Sequence, residues 1–455
     1  MALRALGCLL YSKNNRSNWE HIRDSETWQL TNTSPSLEIL HSLRISYDLM
    51  PSYLKKCFAY CSIFPKNHKF DNIELIKLWI SNGFIQSSRN NQEPEEIGQQ
   101  YLEELLSRSF FIVLKDKYPF LTFEMHDLIY ELAISVAQTE SFNMKVWTQD
   151  ISPTIRHVSF PDPFYASEDE LSGCFNKLSR IHTIMCQGLE SSDSEFFLET
   201  CILRFKHLRV LWLEHSRFDL LPSSIGDLKH LRYLSLFGGT IKKLPKSFYE
   251  LRNLLFLNLA GCENLEELSA DIKNMINIRA LHITTKQKHF PESIGHMTSL
   301  RQLIIARCGN LEALFDDILL TSLRMLGIGE CPKLASLGIK NLKALEDLFI
   351  YKCESLRLSE GDSNELGSLS SLQFLVLSSQ PELVSLPGWL KGSASTLRMI
   401  YIYDCPKLSA LPEWLQNCSS LTKLELEGLP ELSSLPDGVR LIPTLKISEC
   451  KRLSS

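Results

Sequence analysis

A chain of 455 residues exceeds what one ordinary core organises, so two or three domains, or one domain joined to a repeat array, are expected. With 44% apolar residues, 22% charged residues and a net charge of −5, the composition is that of a soluble globular protein. It carries no basic excess of the kind that grips nucleic acid or an anionic membrane surface. No apolar run reaches the roughly 20 residues needed to cross a bilayer. The opening MALRALGCLLY is broken by Arg4 and followed by no small-residue cleavage site. A cytoplasmic chain is therefore expected, with a nucleocytoplasmic distribution as the alternative, and the sequons at Asn15, Asn32 and Asn417 are chance matches there.

From Ser36 onward SLEILHSLRISYDLM, YLKKCFAYCSIF, IELIKLWISNGF and EEIGQQYLEELLSRSF repeat apolar residues at helical spacing, as at Ile97, Tyr101 and Leu105. Asp71 with Glu74 three residues later is a capping signal for the third of these helices. Cys57 and Cys61 stand four apart on one helix and, without further ligands at metal spacing, belong to its core face. FFIVLKDKYPFLTFEM reads as a β-hairpin around a charged, proline-containing turn. A last helix starts near Asp127, with Leu128, Leu132 and Val136 predicted on one face. Helices followed by a hairpin suggest a winged helix over residues 31–145. That segment holds eleven Lys or Arg against fourteen Asp or Glu, so it lacks the basic face a DNA reader needs.

A different text begins near residue 150. Leu-x-x-Leu-x-Leu recurs from Leu208 with starts at 208, 231, 254, 278, 300, 323, 345, 372, 397, 421 and 442, at intervals of 21 to 27 residues. This is the leucine-rich-repeat period, and IRHVSF at 155 and IHTIMC at 181 add two degenerate units, giving about 13 repeats over residues 150–455. The expected fold class is thus α/β: a helical winged-helix module followed by a leucine-rich-repeat solenoid, or horseshoe. Each repeat should give one short parallel strand on the concave side, and stretches such as LPSSIGDLK and LPKSFYELR should form the return segments. Cys262, Cys308, Cys331, Cys353, Cys405 and Cys450 each fall eight residues after the first leucine of a unit, where a small polar side chain satisfies backbone groups as the chain leaves the strand.

The outward strand positions are the third, fifth and seventh of each unit. They place Trp212, Tyr233, Phe237, Phe256, Phe349, Tyr351, Phe374, Tyr401 and Tyr403 on the concave face, with charge returning at Lys423, Glu425 and Glu427. Exposed aromatic rows favour protein recognition, and Trp212, Phe237, Phe349, Tyr351, Tyr401 and Tyr403 are the candidate partner-binding residues. The alternative is that these rings are shielded by neighbouring repeats. The polar stretch SEGDSNELGSLSS would add a loop near them. There is no G-x-S-x-G, H-E-x-x-H or calcium-loop pattern, and the twelve histidines are scattered, so neither an enzyme nor a metal site is expected.

The segments LRISYDLMPSYLKKCFAYCSIFPKNHKF (43–70), IKLWISNGFI (76–85), EEIGQQYLEELLSRSFF (95–111), MHDLIYELA (125–133) and LPSSIGDLKHLRYL (221–234) resemble, in order, the plant nucleotide-binding leucine-rich-repeat disease resistance proteins of the coiled-coil class. The likeness implies that residues 1–30 are the remnant of the helical subdomain following the family's nucleotide-binding fold, so that the chain starts partway through the family's plan. It also implies an innate immune receptor that senses a pathogen effector or a modified host protein through its repeats, with intramolecular or receptor–receptor contacts besides.

In such receptors the histidine of the Met-His-Asp triplet, here His126, touches the phosphate of ADP in an ADP/ATP switch, with Met125 and Asp127 in support. Locally, His126 precedes a helix whose unpaired N–H groups and dipole favour an anion, Met125 would anchor in the core, and Asp127 suits the N-cap. The three residues could equally do no more than shape a strand-to-helix corner. No G-x-x-x-x-G-K-[ST] loop or paired magnesium aspartates occur, so ATP hydrolysis is not expected and this chain alone is expected to bind no nucleotide. The alternative function is a truncated adaptor or decoy, a repeat-based binding module without a switch.

Overall fold

The computed structural model describes residues 43–85, 92–137, 140–144, 152–160, 168–189, 191–315, 318, 320–339, 342–358 and 369–453. Its contacts form two compact units, one of residues 1–188, 203–212 and 230–233, the other of residues 189–202, 213–229 and 234–455. The expected 1–30 remnant and most of the polar loop after Leu358 lie outside the described residues.

In the first unit, α1 (Ser52–Tyr60) buries Leu54, Cys57 and Phe58 along one stripe. β1 (Phe70–Asp71) leads directly into α2 (Asn72–Asn82), where the Asp71 carboxylate accepts from the Glu74 N–H at 2.9 Å. Gly83, left-handed at φ 78°, closes that helix, so the capping signal works at both ends. α3 (Pro94–Ser107) begins with proline, then Glu95 and Glu96 against the helix dipole, and buries Ile97, Leu102 and Leu105. Tyr101 stays at the edge of that face, stacked on Tyr53 with centroids 4.4 Å apart.

The predicted hairpin is β2 (Ile112–Lys117) and β3 (Phe120–Glu124), antiparallel, with β1 added in the order β1-β3-β2. The wing is thus a three-stranded sheet. Phe70, Phe111 and Phe123 meet beneath it at 4.7 to 5.7 Å. Trp79 is fully buried and donates its indole N–H to the Cys57 carbonyl at 3.1 Å, so a buried polar atom costs nothing there.

α4 (Asp127–Ala137) buries Ile129, Tyr130, Leu132, Ala133 and Ala137. The predicted stripe of Leu128, Leu132 and Val136 is therefore corrected: Leu128 and Val136 are only half-buried, and the core face is rotated toward Ile129 and Ala133. An all-round apolar helix leaves its periodicity ambiguous, and packing under the wing decides.

β4 (Ser141–Asn143), within the span read as winged helix, already pairs in parallel with β5 (His157–Ser159), which pairs with β6 (Thr183–Gln187). From residue 157 onward the long parallel sheet has thirteen strands among the described residues, one for each predicted repeat, and Ala313–Leu314 and Ser336–Leu337 pair separately as a small two-stranded sheet.

The second unit carries most of them. β7 (Phe256–Leu259), β8 (Ala280–Ile283), β9 (Gln302–Ala306), β10 (Met325–Gly329), β11 (Asp347–Tyr351), β12 (Phe374–Ser378), β13 (Met399–Tyr403), β14 (Lys423–Glu427) and β15 (Thr444–Ser448) form one parallel ladder. Its register aligns equivalent positions: Leu348, Leu375, Ile400 and Leu424 stand side by side and buried. The return segments are 3-10 turns, as at Ser223–Asp227 and Lys246–Glu250, entered through Pro222 and Pro245.

Most turns out of the strand share one stereochemistry. The eighth position is left-handed at His215, Arg307, Glu330, Lys352, Ser379, Asp404 and Glu449, with φ between 48° and 55°, and at Gly188, Gly238, Gly261 and Gly428, with φ between 67° and 74°. The following cysteine completes the turn: Cys331, Cys405 and Cys450 donate to the carbonyls of Gly329, Tyr403 and Ser448 at 3.3 to 3.4 Å, and Cys262 to that of Leu236 at 3.1 Å. The structural reading of these thiols holds.

Candidate functional site

β3 delivers Met125 into the core, and the chain turns at His126 into α4. The Leu128 N–H donates to His126 Nδ1 at 3.3 Å, while the N–H groups of Ile129 and Tyr130 donate to the His126 carbonyl at 2.9 and 3.0 Å. His126, not Asp127, is thus the N-cap, which corrects the sequence expectation. Asp127 is already helical, so its carboxylate cannot reach back over the first turn; it pairs with Lys66 at 3.1 Å and favours the helix dipole from there. Two of the first-turn N–H groups expected to face an anion, those of Leu128 and Ile129, are taken up by His126 itself.

One consequence bears on nucleotide. A neutral ring that accepts at Nδ1 carries its proton on Nε2, and His126 is exposed. The exposed ring thus offers one directed N–H donor.

The first unit also holds a polar network that the sequence did not single out. The Thr183 hydroxyl donates to Asn82 Oδ1 at 3.1 Å, so His157 Nδ1, 2.9 Å from the Thr183 hydroxyl oxygen, is the donor to that oxygen. Burial, with the nearby cations His182, Arg156 and Arg209, holds His157 down to about 3.

The aromatic positions divide sharply. Trp212 is only 8% exposed, stacked on Tyr233 at 5.8 Å and edge-on to Phe64 at 6.2 Å, and the Tyr233 hydroxyl donates to the Glu74 carboxylate. Phe256 and Phe374 are buried too. Trp212, Tyr233, Phe256, Phe374 and Tyr401 are therefore not exposed recognition rings, which corrects the expected row of surface aromatics. Rings on parallel strands about 4.8 Å apart cover one another, and alternation within a strand reveals the face but not this shielding.

Phe349, Phe374 and Tyr401 form a stair across three strands at 5.3 and 5.2 Å. Tyr401 lies beneath it at 1% exposure, with the Lys423 ammonium 5.1 Å from its ring. Tyr403 is half-buried, 6.1 Å from Tyr401, and donates to Glu425 at 2.6 Å. Phe237 is half-buried against His215 at 5.1 Å. What remains open to solvent is Tyr351, 40% exposed, beside half-buried Phe349 on β11.

Residues 63–133 match the family described as Disease resistance protein Winged helix domain, and residues 174–327 match Leucine-rich repeat region. The chain carries a disease-resistance winged helix joined to leucine-rich repeats. Disease resistance protein RGA2 of Solanum bulbocastanum is 38% identical over 231 residues, covering 50% of this chain and 20% of that protein. Disease resistance protein RPM1 of Arabidopsis thaliana is 34% identical over 146 residues, or 31% of this chain and 15% of its own. The Arabidopsis thaliana disease resistance relative At1g50180 is 27% identical over 98% of this chain and 53% of its own. The chain thus spans about a fifth of the first relatives' length, and the resemblance to plant disease resistance proteins holds on both its segments. Among the described residues no helix is long and apolar enough to cross a membrane.

Proposed function

We propose that this chain is the recognition part of a plant innate immune receptor of the nucleotide-binding leucine-rich-repeat class, acting in the cytoplasm by binding rather than catalysis. The observation that carries this reading is the disease-resistance winged helix, with its Met-His-Asp corner, in one chain with a repeat ladder that leaves Tyr351 exposed on β11 beside half-buried Phe349. The partner, a pathogen effector or a modified host protein, docks on that strand, while Tyr401 supports it from below. Were ADP to bind, it would supply the phosphate charge, and His126 Nε2 would be the donor that this chain offers to it.

Co-expression of the chain with candidate effectors in leaf tissue, followed by co-precipitation, tests the surface. Phe349→Ala with Tyr351→Ala should lower capture at least tenfold; undiminished capture removes β11 from the interface. The self-capping of His126 favours a second reading, a repeat-based adaptor without a switch, because it gives the histidine a structural task of its own. If His126→Asn, which keeps the cap, leaves defence signalling by the native polypeptide unaltered, the adaptor reading prevails.

A further inference from the structure

The second position of each early repeat, immediately before the strand, is an arginine or a histidine in the first unit. Arg156, His182, Arg209 and Arg232 occupy it in turn and are joined by backbone bonds: His182 N–H to the Arg156 carbonyl at 2.7 Å, Arg209 N–H to that of His182 at 2.8 Å, and Arg232 N–H to that of Arg209 at 2.8 Å. Arg180 and His207 stand beside this column, and His230 lies 5.3 Å from His207, ring to ring. Arg156, Ser179, Arg180, His182 and His207 line an open cavity of about 600 Å³, within the range of small-ligand clefts.

Among the described residues, no carboxylate pairs with Arg156, Arg180 or Arg232. Arg209 places its guanidinium on a neutral acceptor, the Asn82 carbonyl, at 2.6 Å. The arginines act on one another as like charges and disfavour a proton on His182. After burial, Arg209, Arg156, His207 and His230 are what hold the His182 imidazole down to about 4, and Arg232 and Arg156 lower Arg209. Elsewhere along the repeats several exposed cations are neutralised between neighbouring turns, as in Lys242–Asp219, Lys288–Glu312 and Lys407–Glu382. Here the column repels itself.

We infer that the cleft of Arg156, Arg180, His182 and His207 binds a small soluble polyanion bearing more than one phosphate. Guanidinium groups match phosphate oxygens in pairs, and the Ser179 hydroxyl adds a neutral donor. The rungs from Arg156 to Arg232 cover three strand spacings, about 14 Å. One phosphate reaches two neighbouring rungs at most, so the column is matched only by several linked phosphates. Convergence of side chains from three chain segments on one cavity favours a compact ligand over an extended acidic peptide.

Isothermal titration of the whole chain with sodium tripolyphosphate and with orthophosphate, at one fixed salt concentration, tests the site. Tripolyphosphate should bind at least tenfold more tightly, and Arg156→Glu with Arg180→Glu should weaken it at least tenfold. Lys407→Glu with Lys446→Glu, an equal change in net charge, should leave it within twofold. Both arginines are exposed and the glutamate pair is expected to fold; Arg156→Gln with Arg180→Gln repeats the readout without charge reversal, and circular dichroism checks each variant. Equal loss in the lysine control, equal affinity for the two phosphates, or binding confined to a polyglutamate peptide or to vesicles carrying multiply phosphorylated headgroups overturns the assignment.

Discussion

Tyr403 and Glu425, on adjacent strands of the repeat ladder, are tied by a 2.6 Å hydrogen bond from the phenol to the carboxylate. The same carboxylate pairs with Lys423 at 3.1 Å, whose ammonium lies over Tyr401. Burial and Glu425 push the Tyr403 phenol above its ordinary value, so it remains a donor. Two tyrosines that look equivalent in sequence therefore have different tasks. Tyr401→Ala, which empties a core position, should cost about 3–5 kcal/mol in urea unfolding. Tyr403→Phe should cost about 1 kcal/mol. Tyr351→Ala should change stability by less than about 0.5 kcal/mol while reducing partner binding. Equal stability losses at 351 and 401 would contradict the division.

At the head of α4, His126→Ala should destabilise the first unit by about 1 kcal/mol through the lost cap, and His126→Asn should restore most of it. Amide hydrogen exchange at Leu128 reads the effect directly. Protection at Leu128 that is unchanged in the alanine variant would show that the imidazole is not the cap.

Acid should weaken the first unit through His157 and His68. Burial holds His157 to about 3 and His68 to about 4, against an ordinary value near 6.5 in the unfolded chain. The unfolded state therefore takes up protons first. The stability that these neutral rings contribute is fully present above pH 6.5 and is lost as pH falls toward 4 and then 3, at roughly 1.4 kcal/mol per pH unit for each ring. A His157→Gln variant should show a shallower fall in this window, measured by urea midpoints at pH 7, 6 and 5.

Burial raises the thiols of Cys262 and Cys405 to about 11, so both remain protonated at pH 8. Alkylation followed by mass spectrometry should leave them unlabelled in the native chain and fully labelled in urea, with Cys450, the partly exposed member of the series, reacting first. Native labelling of Cys262 ahead of Cys450 would be the contrary result.

The repeat was legible because its leucines and cysteines occupy positions that each turn must fill identically, so Cys331 and Cys405 could be assigned without coordinates. The winged helix was legible from the Asp71 cap and the hairpin. What escaped depended on neighbours in space. Whether Trp212 or Tyr351 is exposed is decided by the ring on the adjoining strand. The left-handed turn at Glu330 and Ser379 is invisible because glycine is absent there. The cationic cleft was overlooked because Arg156, His182 and Arg209 lie 26 and 27 residues apart, each looking like an isolated charge. The recurring Arg in the second place of IRHVSF, LRVLWL and LRYLSL was the available signal.

The aligned register of the second unit has an evolutionary consequence. Each strand leans only on the one before and the one after, so the stability of the array approximates a sum of local terms. An outward residue on β11 can then be exchanged with effects confined to β10 and β12, and a whole turn can be duplicated or lost by unequal recombination without disturbing the register elsewhere. Such an array can be edited one strand at a time, which suits a surface whose targets change faster than the scaffold that displays it.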